Sequence, residues 1–515
     1  MTLRLAPGTA WADVLSRATA VAPEAFTGDR LRNHFDGCWQ DAGEPVPLHS
    51  PVDGGRLATL SRLGARTAAQ AVRAAADQHY QWSETWLPER RARVLAALDD
   101  LGAHRDLLAL TQVWELGTPW RLACADVDRA LDGVRWYLER IERQLGDRDP
   151  LPGPVSNLAS WNHPVGVLVQ TELVQMLAGN ATVAKVPSQG GAVCLTVAHA
   201  LMARAGLPVT LLSGCGTELS PVLVRSQEIG AVSAVGGRGD GGAIAAALLD
   251  TGKRHAIEQE SLNAWGIWEF SQWDLLADHL RAGLEYGKQR GTAYRRFVVQ
   301  RKLVDRFLAA YLPVLEAARF GHPLAVAADG DPLPDLDYGP LISATAAAEL
   351  RRQVDEAING GAVPLYRGSR DTGRYLAGQD TSAYVAPTAL LAPPGRAERH
   401  RHAGPFGPVD TVIVADTEDE LLSAMNASNG AQVASVAVDD QELATKLARD
   451  VRAFKIGINR PRVRGDREEP FGGRGGSWKG AFVGGDLLVQ AVTVGPGDDH
   501  MYGNFPGGSR YPSNP

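Results

Sequence analysis

The sequence is poor in cysteine. Its four cysteines are widely scattered over 515 residues, at Cys38, Cys124, Cys194 and Cys215. No two of them form a CxxC pair. Disulfide frameworks and cysteine zinc sites need closer and more regular spacing, so neither is expected, and the sequence predicts no metal site. This use of cysteine favours a reducing cytoplasm.

Long apolar runs and a strong excess of charge are also lacking. The most apolar stretch, VGVLVQTELVQMLAG at 165–179, contains Gln170, Glu172 and Gln175, which excludes a membrane span. The N-terminus has no uninterrupted apolar core of the kind found in secretion signals. A formal net charge of −7 gives no reason to expect nucleic-acid binding. The sequence therefore predicts a cytoplasmic protein that binds neither membranes nor nucleic acids.

The pattern of apolar residues indicates an α/β protein. Short segments separated by turns at 27–62 are typical of an edge hairpin, and apolar spacings of three and four predict helices over 67–143. From residue 165 onward short apolar segments, GVLVQ being the first, alternate with helical ones. This alternation predicts parallel sheets covered by helices, in two α/β domains that join near residue 261. The Gly- and Pro-rich tail is predicted to lie on a neighbouring subunit or to be disordered.

Two segments have features of a ligand site at the end of a sheet. SWNHPVG at 160–166 presents Asn162, whose NH2 group can stabilise a developing oxyanion or simply cap a turn. HAIEQESLN at 255–263 presents Glu258 at a predicted strand end, where it is either a general base or a salt-bridged surface carboxylate.

Two further segments are suited to a nucleotide. GNATVAKVPSQ at 179–189 places Lys185 at the end of an apolar strand, within reach of a ribose or a phosphate. The glycine run at 236–242 follows another strand and opens a helix, so its backbone N–H groups can bind phosphate unless it is only a turn. The basic run RPRVRGDR at 460–467 is suited to a phosphate or is a solvated loop.

Taken in order, these segments resemble the aldehyde dehydrogenase superfamily. WNHP is similar to its Trp-Asn-x-Pro motif and GNATVAKVPS to its Gly-Asn-x-x-x-x-Lys-Pro strand, with Asn162 and Lys185 the usual 23 residues apart. YGPLI, YVAPT, FGP and EPFGGRGGS look like its later landmarks, so the resemblance spans roughly residues 30–500. IEQESLN and KQRGTAYRR look most like the bacterial semialdehyde dehydrogenases of phenylacetyl-CoA and benzoyl-CoA breakdown.

The resemblance implies an α/β fold with three parts. These are a Rossmann-like cofactor domain at 1–133 and 152–260, a catalytic domain at 261–481, and bridging segments at 134–151 and 482–515 that form homodimers or dimers of dimers. It implies a small carbonyl substrate, either an aldehyde or semialdehyde or a carbonyl linked to coenzyme A, whose phosphate the basic run at 460–467 would contact. It implies NADP or NAD as cofactor, with Asn162 as oxyanion donor and Glu258 as base. The implied cofactor contacts are Trp161, Lys185, Ser188, Gly236, Gly237 and Phe406.

The sequence also departs from that family. When the flanks of KQRGTAYRR are aligned with the family's Gly-Gln-Lys-Cys-Thr-Ala-x-Arg-Arg, Gly291 occupies the position of the nucleophilic cysteine. Glycine cannot form the thiohemiacetal that precedes hydride transfer. The glutamate that holds the nicotinamide ribose in Glu-x-Phe-Gly-Pro is replaced by Gly404. At the adenosine ribose, where a glutamate often marks preference for NAD, this chain has Ser188.

Three functions remain open on the sequence alone. The first is a nicotinamide-dependent oxidoreductase that works without covalent catalysis. The second is a non-redox enzyme that uses Glu258 and Asn162 for dehydration, cyclisation or condensation of a carbonyl. The third is a non-catalytic partner that keeps the dimer architecture. A substitution introduced at position 291 would also explain the glycine.

Overall fold

The computed structural model describes residues 2–158, 160–249, 251–392, 406–464, 467–497, 499, 501–505 and 508–512. The helices are α1 (Trp11–Val21), α2 (Ala65–Ser83), α3 (Leu87–Ala103), α4 (Arg105–Leu116), α5 (Trp120–Leu145), α6 (Gln170–Leu177), α7 (Ala192–Arg204), α8 (Gly216–Arg225), α9 (Arg238–Leu248), α10 (Trp273–Gly283), α11 (Val304–Glu316), α12 (Ala344–Asn359), α13 (Glu418–Asn426), α14 (Gln441–Asp450) and α15 (Asp486–Ala491). None of the described helices is long and apolar enough to cross a membrane.

The strands are short and are spread along the whole chain. They are β1 (Arg4–Leu5), β2 (Phe26–Thr27), β3 (Arg30–Leu31), β4 (Asn33–Phe35), β5 (Cys38–Gln40), β6 (Glu44–His49), β7 (Arg56–Arg62), β8 (Asp149–Pro150), β9 (Val155–Leu158), β10 (Thr182–Lys185), β11 (Val209–Leu212), β12 (Ala231–Val235), β13 (Arg254–Glu258), β14 (Asn263–Ile267), β15 (Tyr294–Gln300), β16 (Ala325–Val326), β17 (Val363–Arg367), β18 (Thr388–Leu391), β19 (Val409–Ala415), β20 (Val433–Ala437), β21 (Lys455–Ile458), β22 (Trp478–Ala481), β23 (Thr493–Val494), β24 (Gly503–Phe505) and β25 (Gly508–Arg510).

The larger sheet has ten strands in the order β25-β24-β22-β13-β12-β9-β10-β11-β4-β5. Its central strands β9 to β13 are parallel, and every residue of β9, β10 and β11 is buried, as expected when helices cover both faces. Lys185 is in register with Leu158, and Val235 with Glu258. The carboxyl ends of these strands therefore lie along one edge of the sheet.

The second sheet has seven strands in the order β17-β18-β19-β15-β14-β20-β21. All neighbouring strands are parallel except the edge strand β17. A four-stranded sheet of β2, β3, β7 and β6 and the pairs β1–β16 and β8–β23 complete the described strands. The chain passes from the first large sheet to the second between β13 and β14, through Gln259 to Leu262.

The predicted strand GVLVQ is wrong. Residues Pro164–Val169 form a wide helical turn that continues directly into α6. A short apolar run does not distinguish a strand from a buried helix. Pro164 favours the helix because it stands at its first turn, where the missing N–H is not needed. The first parallel strand is β9, so WNHP follows a strand end instead of preceding a strand.

The described part of the C-terminal tail forms strands, so the predicted disorder is wrong there, and contact of the tail with a neighbouring subunit stays a prediction. β24 pairs antiparallel with β22 of the same chain, and β25 pairs with β24. Asp499 ties the start of this tail to the domain through Arg148 at 2.7 Å and Arg254 at 2.6 Å. The backbone of β22 would otherwise be unpaired on this side, which explains why the tail adds strands there.

Candidate active site

The loop that carries Gly291 is held by side chains that follow β13. Asn263, fully buried at the start of β14, donates from Nδ2 to the carbonyl of Gly291 at 2.7 Å and to that of Ala293 at 3.0 Å. The Ser261 hydroxyl donates to the same Gly291 carbonyl. Two buried donors therefore fix the backbone at position 291.

Gly291 is not required by its backbone conformation, since its φ lies outside the left-handed region that favours glycine. The constraint is space. A Cβ on Gly291 would lie 2.7 Å from Gln432 Oε1 and 2.9 Å from Glu258 Oε1. The side chains of Gln432 and Glu258 therefore occupy the volume that a side chain at position 291 would need.

Glu258 ends β13 with its carboxylate bound on both oxygens. Oε1 accepts a hydrogen bond from Gln432 Nε2 at 3.1 Å, and Oε2 forms an ion pair with Arg464 at 2.6 Å. Its side chain is 12% exposed. The Arg464 guanidinium lies over the ring of Phe471, at 4.9 Å from the centroid. The sequence left Glu258 as either a general base or a salt-bridged surface carboxylate. In the structure it forms a salt bridge and also faces the site.

Asn162 joins this group from the other side. Its Nδ2 donates to the carbonyl of Gln289 at 3.1 Å, and its Oδ1 accepts from the Ser160 hydroxyl. An amide NH2 carries two donors, so one N–H remains for a ligand. Asn162 thus connects the WNHP segment to the Gly291 loop. It therefore does more than cap a turn, which was the other alternative that the sequence left open.

Asn162, Glu258 and Gly291 line one cavity of about 250 Å³. Strands distant in sequence bring these three predicted catalytic residues together. The free cysteines Cys38, Cys124, Cys194 and Cys215 are all described, and none of them lines this cavity. The charged residues in its wall are Asp126, Glu258, Arg129, Arg290, Arg464 and Arg467.

Arg290 is the arginine of this wall with no carboxylate partner. Within the described part of the chain it forms no ion pair, and its buried Nε has no hydrogen-bond partner. Burial lowers the pKa of its guanidinium from the ordinary value. The guanidinium lies 5.7 Å from the ring centroid of Tyr286. Its Nη2 donates a long hydrogen bond of 3.4 Å to the Ala282 carbonyl. A cation without a carboxylate partner in a cavity wall is suited to an anionic ligand group.

The turn before Gly291 has an unusual backbone. Tyr286 and Lys288, on either side of Gly287, both have positive φ values, 59° and 58°. Side chains other than glycine rarely adopt this conformation, and such residues are enriched at functional sites. Lys288 is held in place by Asp410, 2.6 Å from its Nζ. This anchored turn aims Tyr286 and Arg290 at the cavity.

The predicted cofactor contacts lie outside this cavity, at the carboxyl ends of β10 and β12. Lys185 is buried at the end of β10, where its Nζ donates to the Val186 carbonyl at 2.9 Å, and Ser188 is exposed. Gly236 follows β12, and the exposed Gly237 precedes α9 without a side-chain cap. An ammonium, a hydroxyl and an uncapped helix N-terminus are donors that fit a phosphate- and ribose-bearing cofactor.

Trp161 and Phe406 contact one another across the chain, with ring centroids 6.1 Å apart. The Arg295 guanidinium lies 5.2 Å from the Phe406 centroid. The two aromatic residues thus connect the WNHP segment with the FGP segment. Gly404, at which the sequence predicts loss of the ribose-binding glutamate, is outside the described residues. The described residues contain no group of three or more metal-ligating side chains.

A model of the aldehyde dehydrogenase family matches residues 39–494. The chain belongs to the aldehyde dehydrogenase family. Mitochondrial succinate-semialdehyde dehydrogenase of Oryza sativa subsp. japonica is 22% identical over 465 residues, covering 86% of this chain and 84% of that protein. NADP-dependent glyceraldehyde-3-phosphate dehydrogenase of Bacillus halodurans, solved with NADP, has a TM-score of 0.80 at 23% identity and covers 90% of this chain and 97% of its own. Betaine aldehyde dehydrogenase of Staphylococcus aureus, solved with NAD⁺, has a TM-score of 0.82 at 22% identity over 93% of this chain and 96% of its own.

The predicted aldehyde dehydrogenase fold is confirmed by this match and by the sheet order. The sequence-based prediction missed several residues of this site, among them Asp126, His163, Arg290 and Arg464 in the cavity wall and Gln432 beside Gly291. His163 stands within the WNHP motif, and Arg464 within the basic run at 460–467, so each carried a visible signal. Asp126 and Gln432 carried none, because only packing between distant segments brings them to the site.

Proposed function

We propose that this aldehyde dehydrogenase family member oxidises an anionic aldehyde with NADP or NAD as cofactor and without a cysteine thiohemiacetal. The observation that carries the proposal is Gly291, which faces Glu258 and Gln432 in a cavity that no cysteine lines. A covalent route needs a thiolate beside the carbonyl carbon. A hydrated aldehyde needs none, because its carbon already carries the second oxygen of the acid product.

The side chains of the cavity are suited to a hydrate. The free N–H of Asn162 donates to one oxygen of the hydrate and stabilises negative charge that develops there. Glu258 keeps a lone pair on each oxygen beyond those used by Gln432 and Arg464, so it can accept a hydroxyl of the hydrate. Arg464 keeps that carboxylate oriented.

The cofactor contacts proposed for this chain are those at the ends of β10 and β12, together with Trp161 and Phe406. Lys185 and Ser188 would hold the ribose end, and the N–H groups at Gly236 and Gly237 a phosphate. A bound nicotinamide supplies a hydride acceptor to the site. The absence of an acidic side chain at position 188 is consistent with NADP, since a carboxylate there would repel the 2′-phosphate.

The substrate proposed is a semialdehyde, whose carboxylate is bound by Arg290. This guanidinium has no ion-pair partner in the described chain and lies in the wall of the same cavity. The basic run at 460–467 is less suited to a coenzyme A phosphate. Arg462 is paired with Glu469, Arg464 with Glu258, and Arg467 with Asp132, so these cations are engaged within the chain.

The proposal is tested with succinate semialdehyde as the probe. We expect NADP⁺ or NAD⁺ to raise the melting temperature, because a ligand that binds only the folded state stabilises it. We expect reduced cofactor to form when the aldehyde is added, and Glu258→Gln to lower the rate. If neither cofactor stabilises the protein, or the aldehyde is converted without reduced cofactor, the proposal is wrong and non-redox chemistry is favoured.

A further inference from the structure

A histidine–aspartate pair lies in the wall of the active-site cavity. His163, the residue after Asn162, places Nδ1 2.9 Å from Oδ1 of Asp126 on α5. The Asp126 side chain is 2% exposed and that of His163 is 15% exposed. Both residues line the same cavity as Gly291 and Glu258.

The site of Asp126 is built around its carboxylate. Oδ2 accepts the backbone N–H of Gly166 at 3.0 Å, and Arg129 lies 3.5 Å from Oδ1. A Cβ on Gly166 would overlap Asp126 Oδ1, so only glycine permits this approach. Burial acts to raise the pKa of the Asp126 carboxyl, but His163, Arg129 and the Gly166 N–H together lower it below the ordinary value. Asp126 is therefore an ionised carboxylate, which has no proton to donate and accepts a hydrogen bond from His163.

This arrangement fixes the tautomer of His163. The acceptor at Nδ1 requires the proton to be on Nδ1, which leaves the lone pair on Nε2. In the described chain Nε2 has no hydrogen-bond partner and is not fully enclosed, and the His163 side chain lines the cavity.

A structural histidine–carboxylate pair elsewhere in the chain has a different geometry. Both ring nitrogens of His199 face oxygen acceptors, with Leu195 O at 2.8 Å from Nδ1 and Glu172 Oε2 at 3.2 Å from Nε2. Both side chains of that pair are 0% exposed. His163 also has a carboxylate partner, Asp126, but its second ring nitrogen has no partner among the described residues of the functional site. The comparison argues against a purely structural role for His163.

We propose that His163 is the general base of the cavity and that Asp126 is its positioning residue. The role in oxidation rests on the proposed function. Nε2 of His163 takes the proton from one hydroxyl of the aldehyde hydrate, and the electron pair of that O–H bond forms the new C=O bond. The C–H bond breaks at the same time, and its hydride passes to the bound NADP⁺ or NAD⁺. The products are the carboxylic acid, the reduced cofactor and a protonated His163, which returns its proton to water.

With His163 as the general base, Glu258 does not take the proton of the hydrate. Glu258 is bound at both oxygens by Gln432 and Arg464, whereas His163 Nε2 has no partner in the described chain. Imidazole is also the side chain that most often serves as a general base near neutral pH. Glu258 then orients the hydrate, and His163 moves the proton.

Other polar and charged side chains surround the His163–Asp126 pair, and the variant that tests the pair does not replace them. Arg129 on α5 contacts both Asp126 and the hydroxyl of Tyr286, the latter at 3.4 Å. The ring of Tyr286 lies 5.1 Å from that of His163. Arg290, which contacts the Tyr286 ring, and Glu258 line the same cavity. A variant of Asp126 leaves all four of these groups in place.

The reactivity of His163 tests the pair without substrate or cofactor. Diethyl pyrocarbonate acylates unprotonated imidazole nitrogens, and peptide mass spectrometry of the full-length protein gives the rate at each histidine. We expect His163 to react at least as fast as the exposed His49, and the enclosed His199 to stay unmodified. Asp126→Asn should slow His163 about tenfold, because the amide can favour the other tautomer, and should leave His49 unchanged. His163 as inert as His199, or a rate unaffected in a folded Asp126→Asn variant, would overturn the proposal.

Turnover of succinate semialdehyde separates this inference from the proposed function. His163→Gln should lower kcat about 100-fold near neutral pH, the size typical of a lost general base, with little change in the KM for cofactor. The deficit should shrink at higher pH, where hydroxide deprotonates the hydrate. An unchanged kcat in His163→Gln overturns the base assignment. Absence of reduced cofactor in the wild type, with His163 still reactive, removes the proposed function and leaves His163 as the base of the cavity.

Discussion

Gln432 Oε1 lies 2.7 Å from the point where a Cβ on Gly291 would stand. The same oxygen is buried and has no hydrogen-bond partner in the described chain, while the Nε2 of Gln432 binds Glu258. Leaving a buried oxygen unpaired costs about 1–3 kcal/mol. A side chain at position 291 therefore requires the end of the Gln432 side chain to move.

The first prediction concerns restoration of a thiol. Gly291→Cys alone should add little thiol-dependent oxidation to the rate of the wild type, because its side chain must displace Gln432 and Glu258. The double variant Gly291→Cys with Gln432→Ala should oxidise succinate semialdehyde about tenfold faster than the single one, since it provides room for the sulfur. Reduced-cofactor formation measures the rates, with Gln432→Ala alone as the matched control. Equal rates for the two cysteine variants would show that Gln432 is no obstacle.

The second prediction concerns the substrate anion. Arg290→Gln should raise the KM for succinate semialdehyde about 10- to 100-fold, the size of a lost hydrogen bond between charged groups. The KM for butanal, which lacks the carboxylate, should change little. Arg467→Gln is the matched control, because Arg467 lines the same cavity but is already paired with Asp132. A parallel loss for both aldehydes would argue against an anion site at Arg290.

The third prediction concerns the choice of cofactor. Ser188→Glu should weaken NADP⁺ binding about tenfold or more, because a carboxylate there repels the 2′-phosphate and favours a free ribose hydroxyl. Isothermal titration with NADP⁺ and NAD⁺ gives the two dissociation constants, and Ser188→Gln controls for side-chain size. If the carboxylate variant binds NADP⁺ as tightly as the wild type, residue 188 does not face the adenosine ribose.

The fourth prediction concerns the C-terminal segment and pH. Burial acts to raise the pKa of Asp499, but the hydrogen bonds from Arg148 and Arg254 outweigh it and hold the pKa below the ordinary value. A carboxyl with a lowered pKa stabilises the fold above its ordinary range and loses that contribution as the pH falls. Asp499→Asn should cost about 2–4 kcal/mol at neutral pH, because two cations lose their shared partner.

The measurement for this prediction is thermal unfolding between neutral pH and pH of about 3. The wild type should approach the variant as the pH falls below about 4, where aspartate is ordinarily protonated. Asp486→Asn is the control, because its pairing with Arg143 is exposed. A difference that stays constant over the whole range would show that charge at Asp499 is not the cause.

The sequence predicted the larger part of this architecture. Strand segments such as ATVAKV and PVTLLSG are almost wholly apolar, and two covering layers of helices are the only way to bury them. GVLVQ failed, because a short apolar run has no period of its own and Pro164 then decides for a helical turn. The strands of the tail were not predicted, because they have little apolar content and depend on the free edge of β22.

The sequence predicted the residues of the candidate site that stand in motifs, and it missed those that reach the site only through tertiary packing. Asn162, Glu258 and Gly291 stand in recognisable segments, and the fold brings them to one cavity. Asp126 lies on a long helix, where an acidic residue normally faces solvent, and only the close approach of Gly166 buries it. Gln432 opposes Gly291 through the neighbouring ends of separate strands. Such contacts depend on tertiary structure, and no local pattern encodes them.

The central claim is that aldehyde oxidation here needs no thiol. The most direct measurement is the rate of reduced-cofactor formation from succinate semialdehyde before and after exhaustive treatment with iodoacetamide, with alkylation followed by intact-protein mass. We predict many turnovers per protein molecule, an unchanged rate after alkylation, and no aldehyde adduct on the protein. Loss of the rate on alkylation, a covalent acyl or hemiacetal adduct during turnover, or no reduced cofactor from either nicotinamide would contradict the claim.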